Sequence, residues 1–231
     1  MSARCSPVAA VIGVSATLLT GLSHAGCKSA LPSKSLRALD AQVDFDPMAT
    51  TTEVQRRLGS LGEQDPLQAA ELYAVSADAY DLSDDIEKAR LAVIQARARL
   101  AAVPEGAAKQ SVLLRLQLIE ADLPRDPTGM AAAVDRLTQL EPTLPANSLD
   151  RVCLLIVRSR LSSELYHDEE ATADVIAAYR AARELHSPTA LADAAYQSAM
   201  TYERAGLLED AALAAEEAVR QYRANRHPAG L

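Results

Sequence analysis

Two short acidic clusters are the parts of this chain whose residue types and spacing could do chemistry. One is His167–Glu170 (HDEE), and the other is formed by Asp81, Asp84 and Asp85. Imidazole and carboxylate groups are metal ligands. Consecutive residues of a turn point in different directions, however, and acidic residues at the start of a helix complement its dipole. We therefore interpret both clusters as turns that start helices, and we predict no metal site.

The rest of the chain lacks the signatures of catalysis. It contains no glycine-rich phosphate loop, no G-x-S-x-G nucleophile elbow and no H-E-x-x-H zinc motif, and its four histidines are dispersed. The net charge is −8, and no run of Lys or Arg offers a surface for nucleic acid. We predict a protein that is not an enzyme, uses no cofactor and does not bind nucleic acid.

The first thirty residues have the layout of a secretory signal peptide. Arg4 precedes an uncharged stretch over 7–22, which small residues follow. Ala25-Gly26-Cys27 resembles the end of a bacterial lipobox, in which the cysteine is lipidated and becomes the first mature residue. His24 replaces the usual leucine of that motif. The alternatives are cleavage after Ala25, which would release a soluble exported protein, and a leader that is not cleaved.

The lipobox resemblance implies a location in the cell envelope. Lipid on Cys27 would anchor the protein to a membrane. Lys28 follows the cysteine, which in a bacterium with two membranes implies the outer membrane, with the protein facing the periplasm. We predict a signal peptide over residues 1–26, a tether with one possible short helix over 27–64, and a helical-repeat domain over 65–231. Residues 28–50 lack a sustained period and are interpreted as a flexible spacer.

Composition favours an all-α fold for the remaining chain. Apolar residues make up 49% of the sequence but aromatic residues only 3%, so the apolar content is mainly Ala and Leu, which form closely packed helices. Asp65-Pro66 predicts the start of the first long helix, because Asp caps helices and Pro is tolerated at the first helical position. Ser83 or Asp84 is expected to cap the helix that follows.

A helical hairpin is predicted from Ala192 to Asn225. Ala199 is followed at three, twelve and nineteen residues by Tyr202, Ala211 and Ala218, and Gly206 supplies the turn. These spacings resemble the tetratricopeptide repeat, a helix–turn–helix unit of 34 residues. The resemblance implies an irregular solenoid of about four antiparallel helix pairs. The same three offsets recur from Ala77 and from Ser163. Four tyrosines at anchor positions are predicted to be core: Tyr73, Tyr80, Tyr166 and Tyr202.

The middle of the chain follows the repeat less regularly. The central markers of the four pairs are Ala89, Ala132, Val175 and Ala211, and their separations exceed the ideal period. Helical repeats with longer units are therefore an alternative. HDEE is interpreted as a turn although it contains neither Gly nor Pro, and an unbroken helix over 148–185 is the alternative. Cys153 is interpreted as a buried thiol.

The repeat resemblance also predicts a binding groove along the first helices of the pairs. Stacked pairs line a concave surface that accepts a segment of another protein. We predict a non-catalytic interaction scaffold whose partner is a protein segment with apolar or basic side chains. The alternatives are a self-associating structural protein and, less well supported, a small-ligand or enzymatic helical domain. The predicted groove residues are Glu71, Asp78, Asp81, Arg160, Glu164, Tyr196, Met200 and Glu203.

The last helix is a second candidate surface. Only a short tail follows its core, so no polar capping helix covers its outer face. We expect Leu207, Leu208 and Leu213 to be exposed there.

Overall fold

The computed structural model describes residues 31, 33–44, 46–62 and 64–226. Within them it forms ten α-helices, two short 3₁₀ turns (Lys34–Leu36 and Glu141–Thr143) and no β-strand. The all-α prediction is confirmed, and the helices pack in neighbouring pairs. The predicted signal peptide and Cys27 lie outside the described residues. The helices are α1 (Arg37–Gln42), α2 (Pro47–Leu61), α3 (Pro66–Leu82), α4 (Ile86–Leu100), α5 (Ala107–Asp122), α6 (Pro127–Leu140), α7 (Leu149–Glu164), α8 (Asp168–Glu184), α9 (Pro188–Arg204) and α10 (Leu208–Arg226).

The chain divides into two compact units. The N-terminal unit spans Lys28–Gly129, and the C-terminal unit contains Met130–Leu231. In the N-terminal unit α2, α3, α4 and α5 pack on one another. In the C-terminal unit α7, α8, α9 and α10 form the packed body, with α9 in contact with the other three helices.

Four helix-to-helix turns share one geometry. Each has a residue with positive φ two positions before the next helix begins: Asp84 (57°), Tyr166 (62°), His186 (51°) and Gly206 (75°). The N–H of that residue donates to the carbonyl three residues earlier, and the next N–H donates to the carbonyl five residues earlier. This is the Schellman motif, which satisfies helix-end carbonyls. The break at HDEE is therefore confirmed, since α7 ends at Glu164 and α8 begins at Asp168.

The shared turn defines the helix register. In α4, α8 and α10 the fourth and eleventh residues are buried alanines: Ala89 and Ala96, Ala171 and Ala178, Ala211 and Ala218. The predicted third copy, centred on Val175, was therefore wrong by four residues, one helical turn. Such a shift keeps the same face of a helix, so an alanine-rich pattern does not distinguish the two registers. Ala132, the predicted second marker, is exposed; its neighbour Ala133 is buried but is the seventh residue of α6 rather than the fourth.

Residues 31–44 belong to the core of the N-terminal unit. Leu31, Leu36, Leu39 and Val43 are at most 3% exposed, and they form one cluster with side chains of α2 and α3. The structure therefore differs from the flexible spacer that the sequence suggested for this segment. Its apolar residues are too few and too irregularly spaced to show a period, but they bury completely against α3.

Side-chain caps begin several of the helices. Asp65 accepts the N–H of Gln68 at 2.9 Å, as predicted. Helix α4 is capped by Asp85, which accepts the N–H of Lys88 at 3.3 Å. The predicted caps Ser83 and Asp84 were wrong, because Ser83 still belongs to the end of α3 and Asp84 is the left-handed residue of the turn.

Candidate partner-binding site

Glu71, predicted as a groove residue, is instead an internal hydrogen-bond acceptor. Its side chain is fully buried on α3. One carboxylate oxygen accepts the backbone N–H of Ser33 at 2.8 Å, and the other accepts the Ser33 hydroxyl. The carboxylate thus fastens residues 33–44 to α3 and presents nothing to a partner.

Asp78 is also engaged inside the N-terminal unit. The guanidinium of Arg115, on α5, is 2% exposed and lies between Asp78 and Asp40. Its Nε donates to Asp78 Oδ2 at 3.2 Å, and its Nη1 donates to Asp40 Oδ2 at 3.1 Å, while Nη2 contacts both carboxylates. Burial opposes the positive charge, but Asp78 and Asp40 outweigh it and raise the pKa of Arg115 above its ordinary value.

Asp81 is the third predicted groove residue that is bound by another part of the same unit. Its Oδ1 accepts a hydrogen bond from Arg125 Nη2 at 2.7 Å. Burial, followed by the nearby charge of Asp122, raises the pKa of Asp81 to about 6 despite that contact. The groove prediction is therefore wrong for the fully buried Glu71, whereas Asp78 and Asp81 stay partly exposed and are bound by segments distant in sequence.

In the C-terminal unit, the predicted residue Glu164 on α7 contacts α9. Glu164 accepts a hydrogen bond from Arg204 at 2.6 Å, with both side chains partly exposed. Deeper between the same helices, the hydroxyls of Ser159 and Thr201 are 3.1 Å apart. Arg160 is half-buried on α7 and takes part in a polar interaction of its own.

The remaining predicted residues follow one another along α9. Tyr196 and Met200 are half-buried and Glu203 is exposed; we call these three residues the α9 face. Burial raises the pKa of the Tyr196 phenol. Counted back from the left-handed turn residue, they occupy the positions that Ala74, Asp78 and Asp81 hold on α3. On α3 those positions are covered by the Val112–Ile119 part of α5 and by Arg125.

A groove that the sequence did not predict lies between α8 and α10, with α9 as its floor. Its volume is about 860 Å³. Ile176 on α8 and Leu213 on α10 line it and are 45% and 66% exposed. The expected exposure of Leu207, Leu208 and Leu213 is confirmed. That Leu213 shares a groove with Ile176 could not be predicted without the correct register of α8.

Three further residues that the sequence analysis singled out are Tyr166, Cys153 and His167. Tyr166 is 86% exposed and sits in the turn, so its assignment to the core was wrong. Cys153 is fully buried, as expected, but it is disulfide-bonded rather than a thiol, and its partner lies outside the described residues. His167 immediately precedes α8, whose first turn carries three acidic residues. In the described part of the chain, no group of three or more His, Cys, Asp or Glu side chains is arranged to hold a metal ion.

Comparison with models of known protein families and with curated proteins found no match. Among the described helices, none combines the length and the apolar character that crossing a membrane requires.

Proposed function

We propose that this protein is a non-catalytic interaction scaffold that binds a helical segment of another protein on the α9 face. The proposal retains the predicted residues Tyr196, Met200 and Glu203 and drops the three acidic residues of α3. In this view the protein is an irregular member of the tetratricopeptide-like class, and the spacing of its repeats exceeds the ideal 34 residues.

The observation that carries the proposal is a comparison of equivalent helix faces. On the α3–α4 hairpin, the equivalent face is covered by α5, which packs against both helices. On the α7–α8 hairpin it is covered by α9, which contacts both of those helices. Besides α7 and α8, no helix of the described residues makes an extensive contact with the α9–α10 hairpin. A partner helix would therefore take the place that α5 and α9 take on the other two hairpins.

The chemistry of the partner follows from the residues that replace those of α3. Met200 stands where Asp78 binds Arg115, so this position favours an apolar contact instead of a buried cation. Tyr196 offers a broad ring surface. Glu203 stands where Asp81 binds Arg125, so a basic side chain would be its natural complement. The partner segment should combine an apolar stripe at helical spacing with one Lys or Arg near Glu203.

Site-specific cross-linking tests this proposal in the host cell. A photoreactive residue at Glu203, which is exposed, should yield a discrete adduct with another protein. The matched control carries the same residue at Gln139, which is exposed on α6. The double substitution Tyr196→Ala and Met200→Ala should reduce the adduct at least about tenfold if these two side chains are binding anchors. Adducts that are identical at both positions, or that survive the double substitution, would show that the α9 face is not the binding surface.

We further propose that the protein is exported and anchored through a lipid on Cys27. Leu31 is 2% exposed in the core of the N-terminal unit, and it follows Cys27 by only four residues. Four residues reach at most about 14 Å when fully extended. The anchor would therefore hold the N-terminal unit directly at the membrane surface rather than at the end of a long tether.

The disulfide bond of Cys153 competes with a lipid on Cys27, which makes this second proposal testable. A chain cut before Cys27 keeps only Cys27 and Cys153, and a thioether on Cys27 would use the sulfur that an internal disulfide needs. Disulfides persist in exported proteins, so both outcomes agree with export. Cys27→Ala should release the protein from the membrane fraction, and the intact mass of the wild type should include the lipid. Unchanged membrane retention, or a mass that shows a disulfide and no lipid, would refute the anchor.

A further inference from the structure

The groove between α8 and α10 has walls of opposite charge. Arg180 and Arg183 line the α8 side and are exposed, and they form no ion pair within the described part of the chain. Asp210 and Glu216 line the α10 side and are also exposed. Three other charged residues line the groove: Glu184 on α8, and Arg220 and Glu217, which bind each other within α10.

The centre of the groove is apolar. Ile176 and Leu213 project from the two walls with about half or more of their surfaces exposed. The floor, formed by α9, includes Ala195 and Tyr202. Isolated exposed apolar residues are ordinary, but here two large ones share a groove of about 860 Å³.

This arrangement is self-complementary. A two-fold interface places one surface patch against a second copy of itself, so every positive region needs a negative region on the other side of the axis. A two-fold axis that runs along the groove sets the α8 wall of one copy against the α10 wall of the other. It therefore places Arg180 and Arg183 of one copy opposite Asp210 and Glu216 of the other, with the apolar residues between them.

We propose that the α8–α10 groove is a self-association interface, through which two copies of this chain form a two-fold dimer. Leu213 of each copy fills the apolar centre, and the two charged walls set the orientation. This surface is separate from the α9 face, so a dimer leaves Tyr196, Met200 and Glu203 available.

Sedimentation velocity of the purified full chain, from about 1 to 100 µM, tests the interface. The wild type should be a dimer at the upper end of this range. Leu213→Glu should raise the dissociation constant at least about tenfold, because it places two charges in the apolar centre. The matched control is Ile94→Glu on α4, since Ile94 is 63% exposed and Leu213 is 66% exposed. Both substitutions lie on the surface, and circular dichroism verifies that both variants fold.

Charge exchange supplies the decisive test. Arg180→Glu with Arg183→Glu should give a monomer, and so should Asp210→Arg with Glu216→Arg, because each creates repulsion at both ends of a two-fold interface. Mixing the two variants should restore a dimer, since every contact then joins opposite charges. A wild type that stays monomeric at 100 µM, a dimer that Ile94→Glu disrupts while Leu213→Glu does not, or a mixture that stays monomeric would each overturn the proposal.

Discussion

The α3–α4 and α9–α10 hairpins have the same turn and the same helix register, but they differ in what covers them. Six residues before the left-handed turn residue, the first has Asp78, which binds a buried arginine. The second has Met200, which is half-buried. The two hairpins therefore share their turn chemistry but differ in the side chains of one face and in whether another described helix covers that face.

Arg115→Ala should have the largest effect of the changes that test this comparison. Removal of the guanidinium leaves Asp40 and Asp78 facing each other without a counter-charge, which costs about 3–5 kcal/mol for a buried pair. Urea unfolding followed by circular dichroism measures the loss. Restoring the balance with Asp40→Asn and Asp78→Asn in the Arg115→Met background should recover part of it. A loss below about 1 kcal/mol would mean that the triad does not hold α5 and residues 33–44 on α3.

Leu39→Ala should have the next largest effect. Leu39 is 3% exposed among side chains of the N-terminal unit, so its truncation should lower the free energy of unfolding by about 2–4 kcal/mol. The control is Leu213→Ala, at 66% exposure, which should change it by no more than about 0.5 kcal/mol. Equal effects of the two substitutions would contradict the assignment of residues 31–44 to the core.

The comparison also explains which features were predictable from sequence. Caps and breaks depend on neighbouring residues, so Asp65-Pro66 and the turn at HDEE were predicted correctly. The buried alanines of α4 and α10 were also found, because their spacing is local. The same alanine content concealed the register of α8, since a shift by four residues, from Ala171 to Val175, preserves the helix face.

The candidate site was less predictable for a different reason. Glu71 is bound by Ser33, and Asp78 is bound by Arg115, which also binds Asp40; all these partners are far away in sequence. The periodic pattern of apolar and small residues carries no information about such long-range contacts. Along α9 the described residues form no such contact with Met200 or Glu203, and there the prediction from the repeat pattern still stands. The groove beside Leu213 required the position of α8, which the sequence placed one turn away.

Asp81→Asn should have a pH-dependent effect of intermediate size. Burial raises the pKa of Asp81 to about 6, above its ordinary value, so the folded state favours the protonated carboxyl. The protonated Asp81 carboxyl therefore stabilises the folded state fully below about pH 4, and this stabilisation is lost as the pH rises through about 6. Between pH 4 and 7, the free energy of unfolding of the variant should rise relative to that of the wild type by on the order of 1–2 kcal/mol.

Urea unfolding at a series of pH values measures this difference. Arg125→Gln is the companion change. Loss of this cation should make the free energy of unfolding fall more steeply between pH 4 and 7 than it does in the wild type. A difference between Asp81→Asn and the wild type that is constant across this range would contradict the role given to burial. Glu203, the equivalent residue on the open hairpin, is exposed.

The turns that the hairpins share allow the smallest and most precise test. Tyr166 has φ 62° and is 86% exposed, whereas Gly206 has φ 75° with open space around the position of an added Cβ. A left-handed conformation costs non-glycine residues about 1 kcal/mol. Tyr166→Gly should therefore stabilise the fold by about 1 kcal/mol, and Gly206→Ala should destabilise it by a similar amount. If both changes lowered the midpoint of urea unfolding, the Tyr166 ring would have to make stabilising contacts despite its exposure, and the four turns would not be energetically equivalent.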